Sequence, residues 1–136
     1  MDMIIRFPGN KKVSAEFDGL TVLTDQPKEA GGDGSAASPF DLFLASLGTC
    51  AGIFVLSFCQ KRGISTAGLE IRQRMEWDEA KHLVSKITLE IIPPKGFPDK
   101  YRDSLVKAAE LCTVKRHLQE PPRFEIMIGA DRNATP

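Results

Sequence analysis

Apolar and polar residues alternate through much of this chain, but between Asp41 and Lys61 no charged residue occurs at all. That run carries Leu42, Phe43, Leu44, Ala45, Leu47, Ala51, Ile53, Phe54, Val55, Leu56 and Phe58, with Cys50 in its middle. Its borders predict one long helix from Ser38 to Gly63. Ser38 is a good N-cap, Pro39 fits the first helical position, and Asp41 completes a Ser-x-x-Asp variant of the capping box. Lys61 and Arg62 suit the negative end of the helix dipole, and Gly63 supplies the left-handed residue that stops the helix. A helix that is apolar all round is expected to be enclosed all round. In a chain this small such enclosure usually needs a second subunit, so we expect a homodimer with this helix near the interface. A membrane span of roughly 20 apolar residues is the rival. Ser46, Gly48, Thr49, Gly52 and Ser57 dilute the run, however, and the remainder of the chain is soluble in pattern, so no membrane is expected.

Before this helix, Met3 to Phe7 is a short apolar run closed by the turn sequence Pro8-Gly9-Asn10. Val13, Ala15 and Phe17 then alternate with Ser14, Glu16 and Asp18, the period of a half-buried strand. Asp18-Gly19 is a hairpin signal, and Leu20 to Thr24 is expected to return as a third strand. Pro27 to Ala37, polar and carrying Gly31, Gly32 and Gly34, predicts a flexible surface connector. A glycine-rich loop ahead of a helix can cradle phosphate, but the lysine and spacing of a phosphate loop are missing.

After Gly63, Leu69, Ile71, Met75 and Trp77 alternate with Glu70, Arg72, Arg74, Glu76 and Asp78, the clearest strand pattern in the chain. Residues 78–82 make the turn, and Leu83, Ile87, Leu89 and Ile91 return until Pro93-Pro94-Lys95-Gly96. Pro98 and Asp99 open a second helix, in which Tyr101, Leu105, Ala108, Ala109 and Cys112 share a stripe. Thr113 to Leu118 adds a further helical turn, broken by Pro121-Pro122. Phe124, Ile126 and Ile128 predict a last strand, and Asp131 to Pro136 a frayed tail. No helix joins neighbouring strands one by one. The expected fold is a single α+β domain over residues 1–136, with a mostly antiparallel sheet and a long buried central helix.

Eighteen basic residues balance 18 acidic ones. The chain therefore has no global field to recruit nucleic acid or an anionic membrane, and no basic run with interleaved aromatics appears. Its N-terminus lacks the basic-then-apolar layout of a secretion signal, and cytoplasmic residence is the expectation. Three cysteines, Cys50, Cys59 and Cys112, are too few and scattered for a disulfide framework. In a reducing compartment they are thiols, and a disulfide among them would be transient and catalytic. There is no Cys-x-x-Cys, and His82 and His117 lie far from any ligand pair, so neither metal nor cofactor is expected.

Cys50 lies about three turns into its helix, beyond reach of that helix's own positive end. A buried cysteine with no cation nearby is inert, so a reactive Cys50 is expected to draw a cation from another segment or subunit. Arg6, Lys11, Lys12, Arg72 and Arg116 are the candidates. Cys59 is expected to face away from Cys50 and to serve as packing. If a helical turn begins at Cys112 or Thr113, its backbone N–H groups and Arg116 could stabilise a thiolate at Cys112.

The segment Ser38-Pro-Phe-Asp-Leu-Phe-Leu-Ala-Ser-Leu-Gly-Thr-Cys50 resembles the central-helix motif of the OsmC/Ohr family of osmotically induced and organic hydroperoxide resistance proteins. Leu111-Cys112-Thr-Val-Lys-Arg-His-Leu118 is similar to that family's second motif, and the order of elements matches along nearly the whole chain. The resemblance implies an intertwined homodimer with the two long helices at its centre and the sites at the subunit interface. It also implies a stress-response, antioxidant oxidoreductase: Cys50 attacks an organic hydroperoxide and becomes sulfenic acid, Cys112 condenses with it, and an external thiol reduces the disulfide, with no bound cofactor. Phe40 stands where the peroxidase branches carry a glutamate, with Asp41 as the nearest acid. Asn10-Lys11-Lys12 stands where those branches carry an arginine. Both features bring the chain closer to the family's less characterised branch. They raise an alternative, a non-peroxidase dimer that binds a small hydrophobic or sulfur-containing ligand at its interface.

Overall fold

The computed structural model describes residues 1–130; the expected tail, Asp131 to Pro136, lies outside them. The first three strands are β1 (Ile4–Gly9), β2 (Lys12–Phe17) and β3 (Leu20–Thr24), and they form one antiparallel sheet in that order. Asp18 and Gly19 turn β2 into β3 with φ of 47° and 77°. Two successive left-handed positions match the twist of a two-residue hairpin, and they set Phe17 opposite Leu20 and Ala15 opposite Val22.

The connector that follows is built more tightly than its glycines predict. Asp25 is completely buried, and its carboxylate accepts from the N–H groups of Gln26, Asp33 and Ser35 and from the Ser35 hydroxyl. The Ser35 N–H, then the Ser35 hydroxyl, hold its pKa far below the ordinary carboxylate range. Gly32 lets the loop close on itself, since a β-carbon there would lie 1.9 Å from the Gln26 carbonyl oxygen. Asn10 and Lys12, at the tip of the first hairpin, both reach Asp33 and tie the hairpin to this loop.

Helix α1 spans Pro39–Gln60. Its capping box is formed as expected: the Asp41 N–H donates to the Ser38 hydroxyl at 3.2 Å and the Ser38 N–H to the Asp41 carboxylate at 3.0 Å. The helix ends at Gln60, and Gly63 follows with φ 63°. By length and composition it would also cross a membrane, with 22 residues and a mean hydropathy of 2.1. Within the chain it is a core helix whose buried residues, Leu47, Ala51, Val55, Phe58 and Cys59, lie along one face. Ile53, on the opposite face, is 53% exposed, and Phe40, at the N-terminal end of the helix, is 48% exposed. Enclosure on all sides is thus reached on one side by the chain's own residues, because one sheet and two short helices can cover only one face.

Strands β4 (Glu70–Asp78) and β5 (Leu83–Ile92) make an antiparallel ribbon, with a register shift between Glu76 and Trp77. Its solvent face carries the ion pairs Arg74–Glu90 at 2.7 Å and Lys86–Glu76 at 2.9 Å. Ile71 and Ile91 pack against the core of Val55, Phe58, Cys59, Phe97 and Leu105. The expected second helix arrives as a 3-10 turn at Asp99–Tyr101, then α2 (Arg102–Ala109). The further turn is a separate helix, α3 (Thr113–Gln119).

The last strand is not formed. Residues 121–130 have no regular secondary structure, and Phe124, Ile126 and Ile128 are 87%, 96% and 98% exposed. A strand exists only through an edge to pair with, and neither sheet of this chain pairs with the segment. Residue alternation records the readiness of a segment to pair, not the presence of a partner.

Candidate active site at Cys50 and Cys112

The break between α2 and α3 makes Cys112 a cap. Its sulfur accepts from the Lys115 N–H at 3.3 Å, and its thiol faces the Leu47 carbonyl of α1 at 3.8 Å. Cys112 is 2% exposed, and Cys50 is half-buried. Docking α3 across the middle of α1 brings the two thiols close enough to shift each other's titration.

The electrostatics of the pair are asymmetric. Burial pushes the Cys50 thiol up, but the Val114 N–H, the Cys112 thiol, the Thr113 N–H and the Thr113 hydroxyl outweigh it, and the net shift is downward. Burial also pushes Cys112 up; the Lys115 N–H opposes it, while Cys50 and its charge add to it, and the net shift is upward. The first proton therefore leaves Cys50, and Cys112 remains a thiol beside it. A thiolate with a neutral thiol at its side has the chemistry for nucleophilic attack followed by disulfide formation.

The groups that dominate the Cys50 shift include no lysine or arginine. Arg6 pairs with Glu16 at 3.0 Å, Lys12 with Asp33, and Arg72 lies 3.9 Å from Glu70. Lys11 and Arg116 are exposed. Asp41 stays in its capping box, where the hydroxyl and N–H of Ser38 hold its carboxyl below the usual range. Within one chain, the expected cation is replaced by polar groups around the first turn of α3. The dipole of α1 is indeed too far from Cys50, but a second helix start is not. The sequence reading named Thr113 only as a start of a helical turn acting on Cys112, because its effect on Cys50 comes from packing against another segment. Cys59 sits in the apolar core, where burial pushes its thiol up.

Gln73 is a second residue that periodicity passed over. It occupies the inward phase of β4 between Ile71 and Met75 and donates to the Leu44 carbonyl of α1 at 2.9 Å. Gly48 makes room for it, since a β-carbon there would lie 2.7 Å from the Gln73 Oε1. A polar residue in an apolar phase was the available signal. Beside the thiol pair lies a cavity of about 550 Å³, walled by Leu47, Ile87, Leu89, Val106 and Leu118, with Cys112 in its lining.

Known proteins bear on this arrangement. No curated protein matches the chain significantly. Among solved structures, one from Psychrobacter arcticus 273-4, assigned to the osmotic stress induced and detoxification response, shares the fold with a TM-score of 0.70 at 23% identity, over 84% of this chain and 85% of that one. An organic hydroperoxide resistance protein OsmC from Legionella pneumophila matches with a TM-score of 0.53 at 21% identity, over 88% and 90% of the two chains. A Vibrio cholerae structure named for organic hydroperoxide resistance, with captopril in one of its active sites, matches with a TM-score of 0.53 at 18% identity, over 89% and 86%. The family model described as OsmC-like protein matches residues 32–127, from the glycine-rich loop through both cysteine segments. The chain belongs to the OsmC-like protein family.

Proposed function

We propose that this protein is a thiol-dependent reductase of organic hydroperoxides, working as an intertwined homodimer in the cytoplasm. The observation that carries the proposal is the Cys50–Cys112 pair, with Cys50 shifted toward thiolate and Cys112 toward thiol. Cys50 thiolate attacks the terminal peroxide oxygen and breaks the O–O bond. It becomes sulfenic acid, and the alkoxide takes a proton and leaves as the alcohol. The Cys112 sulfur then attacks the sulfenic sulfur, forming the disulfide and releasing water. Two thiol equivalents reduce that disulfide and return both cysteines. Relatives named for organic hydroperoxide resistance support the substrate class. A reducing compartment suits the cycle, because it holds the resting cysteines as thiols.

The homodimer rests on apolar area that one chain leaves uncovered. Strand β1 is exposed along its whole length, and Ile53 of α1 and Ile126 and Ile128 near the chain's end are exposed as well. Large apolar side chains left exposed in this number point to an interface. Purified protein, mixed with cumene hydroperoxide and a dithiol, should consume thiol. Cys50→Ser should abolish turnover, and Cys112→Ser should stop at a sulfenic acid that dimedone traps. No turnover by the wild type, with no Cys50–Cys112 disulfide in a peptide map, overturns the reading.

One observation favours a second reading, a binding protein for a small hydrophobic or sulfur-containing ligand. The cavity beside Cys112 is mostly apolar and of ligand size. Native mass spectrometry showing a co-purified ligand, together with absent peroxide turnover, would select it.

A further inference from the structure

Helix α3 begins at the cysteine pair and depends on it. It is seven residues long, none of its side chains is buried, and its main neighbour is α1. A helix this short is marginal in isolation, so what holds its first turn decides whether it forms. The Lys115 N–H donates to the Cys112 sulfur at 3.3 Å, and the Arg116 N–H reaches the Cys112 carbonyl at 3.1 Å. The N–H groups of Thr113 and Val114 lie at Cys50 and favour its ionised form. Cys112 is also the tie to α1, because its thiol donates to the Leu47 carbonyl at 3.8 Å. One sulfur therefore caps the helix while its proton docks it.

We propose that α3 is a redox-sensitive latch, ordered against α1 while Cys112 is a thiol and loosened when the Cys50–Cys112 disulfide forms. The inference rests on the redox reading above and adds a conformational consequence to it. When the Cys112 thiol condenses with the Cys50 sulfenic acid, the S–S bond forms and the Cys112 proton departs with the sulfenic oxygen as water. A disulfide sulfur carries no proton, so the bond to the Leu47 carbonyl is lost by valence. The Cys112 sulfur is also drawn to ~2.05 Å from the Cys50 sulfur, a position set by α1 rather than by the Lys115 N–H. For Thr113 and Val114 the acceptor changes from a thiolate to a neutral sulfur, which holds an N–H less strongly. The new covalent bond anchors residue 112 itself and not the turn that follows it. Lys115 and Leu118 of α3 line the cavity beside the pair, so loosening α3 opens that wall in the oxidised protein alone.

The test is hydrogen exchange, read by mass spectrometry on the full-length protein, reduced or oxidised with diamide, with a peptide map to identify the Cys50–Cys112 disulfide. The amides of residues 113–119 should exchange about fivefold faster in the oxidised protein, the equivalent of one lost N-cap, while those of α2 keep their rate. Unchanged or slower exchange in 113–119 overturns the proposal. So does equal acceleration throughout the chain, or a protein that forms no internal disulfide with diamide. Two variants separate the cap from the covalent bond. Cys112→Ser keeps an acceptor for Lys115 and a donor for Leu47, so its α3 should stay as protected as in the reduced wild type, with diamide present; fast exchange there overturns the latch. Cys112→Ala keeps neither and should exchange fast without any oxidant; protection equal to the reduced wild type overturns it as well. A disulfide that forms with diamide but never with an organic hydroperoxide sinks the peroxidase reading, and the exchange of α3 still decides the latch.

Discussion

The Cys112 thiol stands beside Cys50 and lowers its pKa, and the charge that develops on Cys50 holds the Cys112 proton in place. Each sulfur thereby assigns the other its role, and that mutual dependence can be measured. In Cys112→Ala that lowering influence is gone, so the Cys50 pKa should rise. The pH at which iodoacetamide alkylation of Cys50 reaches half its maximal rate should move up with it. Thr113→Val, which removes the Thr113 hydroxyl but keeps the N–H, should move it in the same direction by less. An unchanged midpoint in both variants would remove the first turn of α3 from the account.

Asp25 is the hub of the loop between β3 and α1, and its removal takes away the acceptor shared by the Gln26, Asp33 and Ser35 donors. Asp25→Ala should lower the melting temperature at neutral pH. The sign with pH follows from its depressed pKa in the folded protein. Below the unfolded carboxylate pKa of roughly 3.9 the unfolded chain binds more protons, so the contribution is full above that pH and is lost as pH falls further. The gap in melting temperature between wild type and Asp25→Ala should therefore be largest at neutral pH and shrink at pH values approaching the folded pKa.

Two glycines should respond differently to alanine. At Gly32 the new β-carbon would meet backbone, the Gln26 carbonyl, which cannot step aside. Overpacking of this kind costs roughly 1–3 kcal/mol. At Gly48 it would meet only the tip of Gln73. The side chain can swing away, losing its bond to Leu44, worth about 0.5–1.5 kcal/mol, while the helix gains up to about 1 kcal/mol in propensity. Urea melts should find Gly32→Ala clearly destabilised and Gly48→Ala close to neutral.

Leu105 of α2 is 2% exposed and joins the core formed by Val55, Phe58, Cys59 and Phe97. Leu105→Ala should cost about 2–5 kcal/mol in a denaturant melt, the range for a leucine truncated in a packed core.

The proposed homodimer makes its own demand on the end of the chain. Ile126 and Ile128 are 96% and 98% exposed in one chain, yet they alternate as a strand does. Replacing both with aspartate should drive sedimentation toward monomer at low concentration if these residues lie in the interface. An unchanged dimer would place the interface elsewhere.

Much of the fold was legible because it is decided locally. The start of α1 is written in Ser38, Pro39 and Asp41, whose hydrogen bonds close within four residues. The hairpins at Asp18-Gly19 and at residues 78–82 lie between alternating strands whose period survives in the structure. The expected strand at Phe124, Ile126 and Ile128 failed for the opposite reason: its pattern was sound, but pairing requires an edge that nothing local provides. Asp25 and Gln73 were unread because each is satisfied by groups remote in sequence or folded into a loop, and hydrophobic periodicity carries no record of such bonds.

From the residues alone came the long capped helix, the order of elements, and two thiols far apart along the chain with a family resemblance to connect them. Which groups surround those thiols was settled by packing. Within one chain, placing the start of α3 across α1 surrounds Cys50 with oriented N–H groups and a neighbouring thiol. Helix caps and strand periods are short-range and can be read by position. The ionisation of a buried sulfur depends on the sum of every dipole within a few ångströms, and only the folded chain brings those dipoles together.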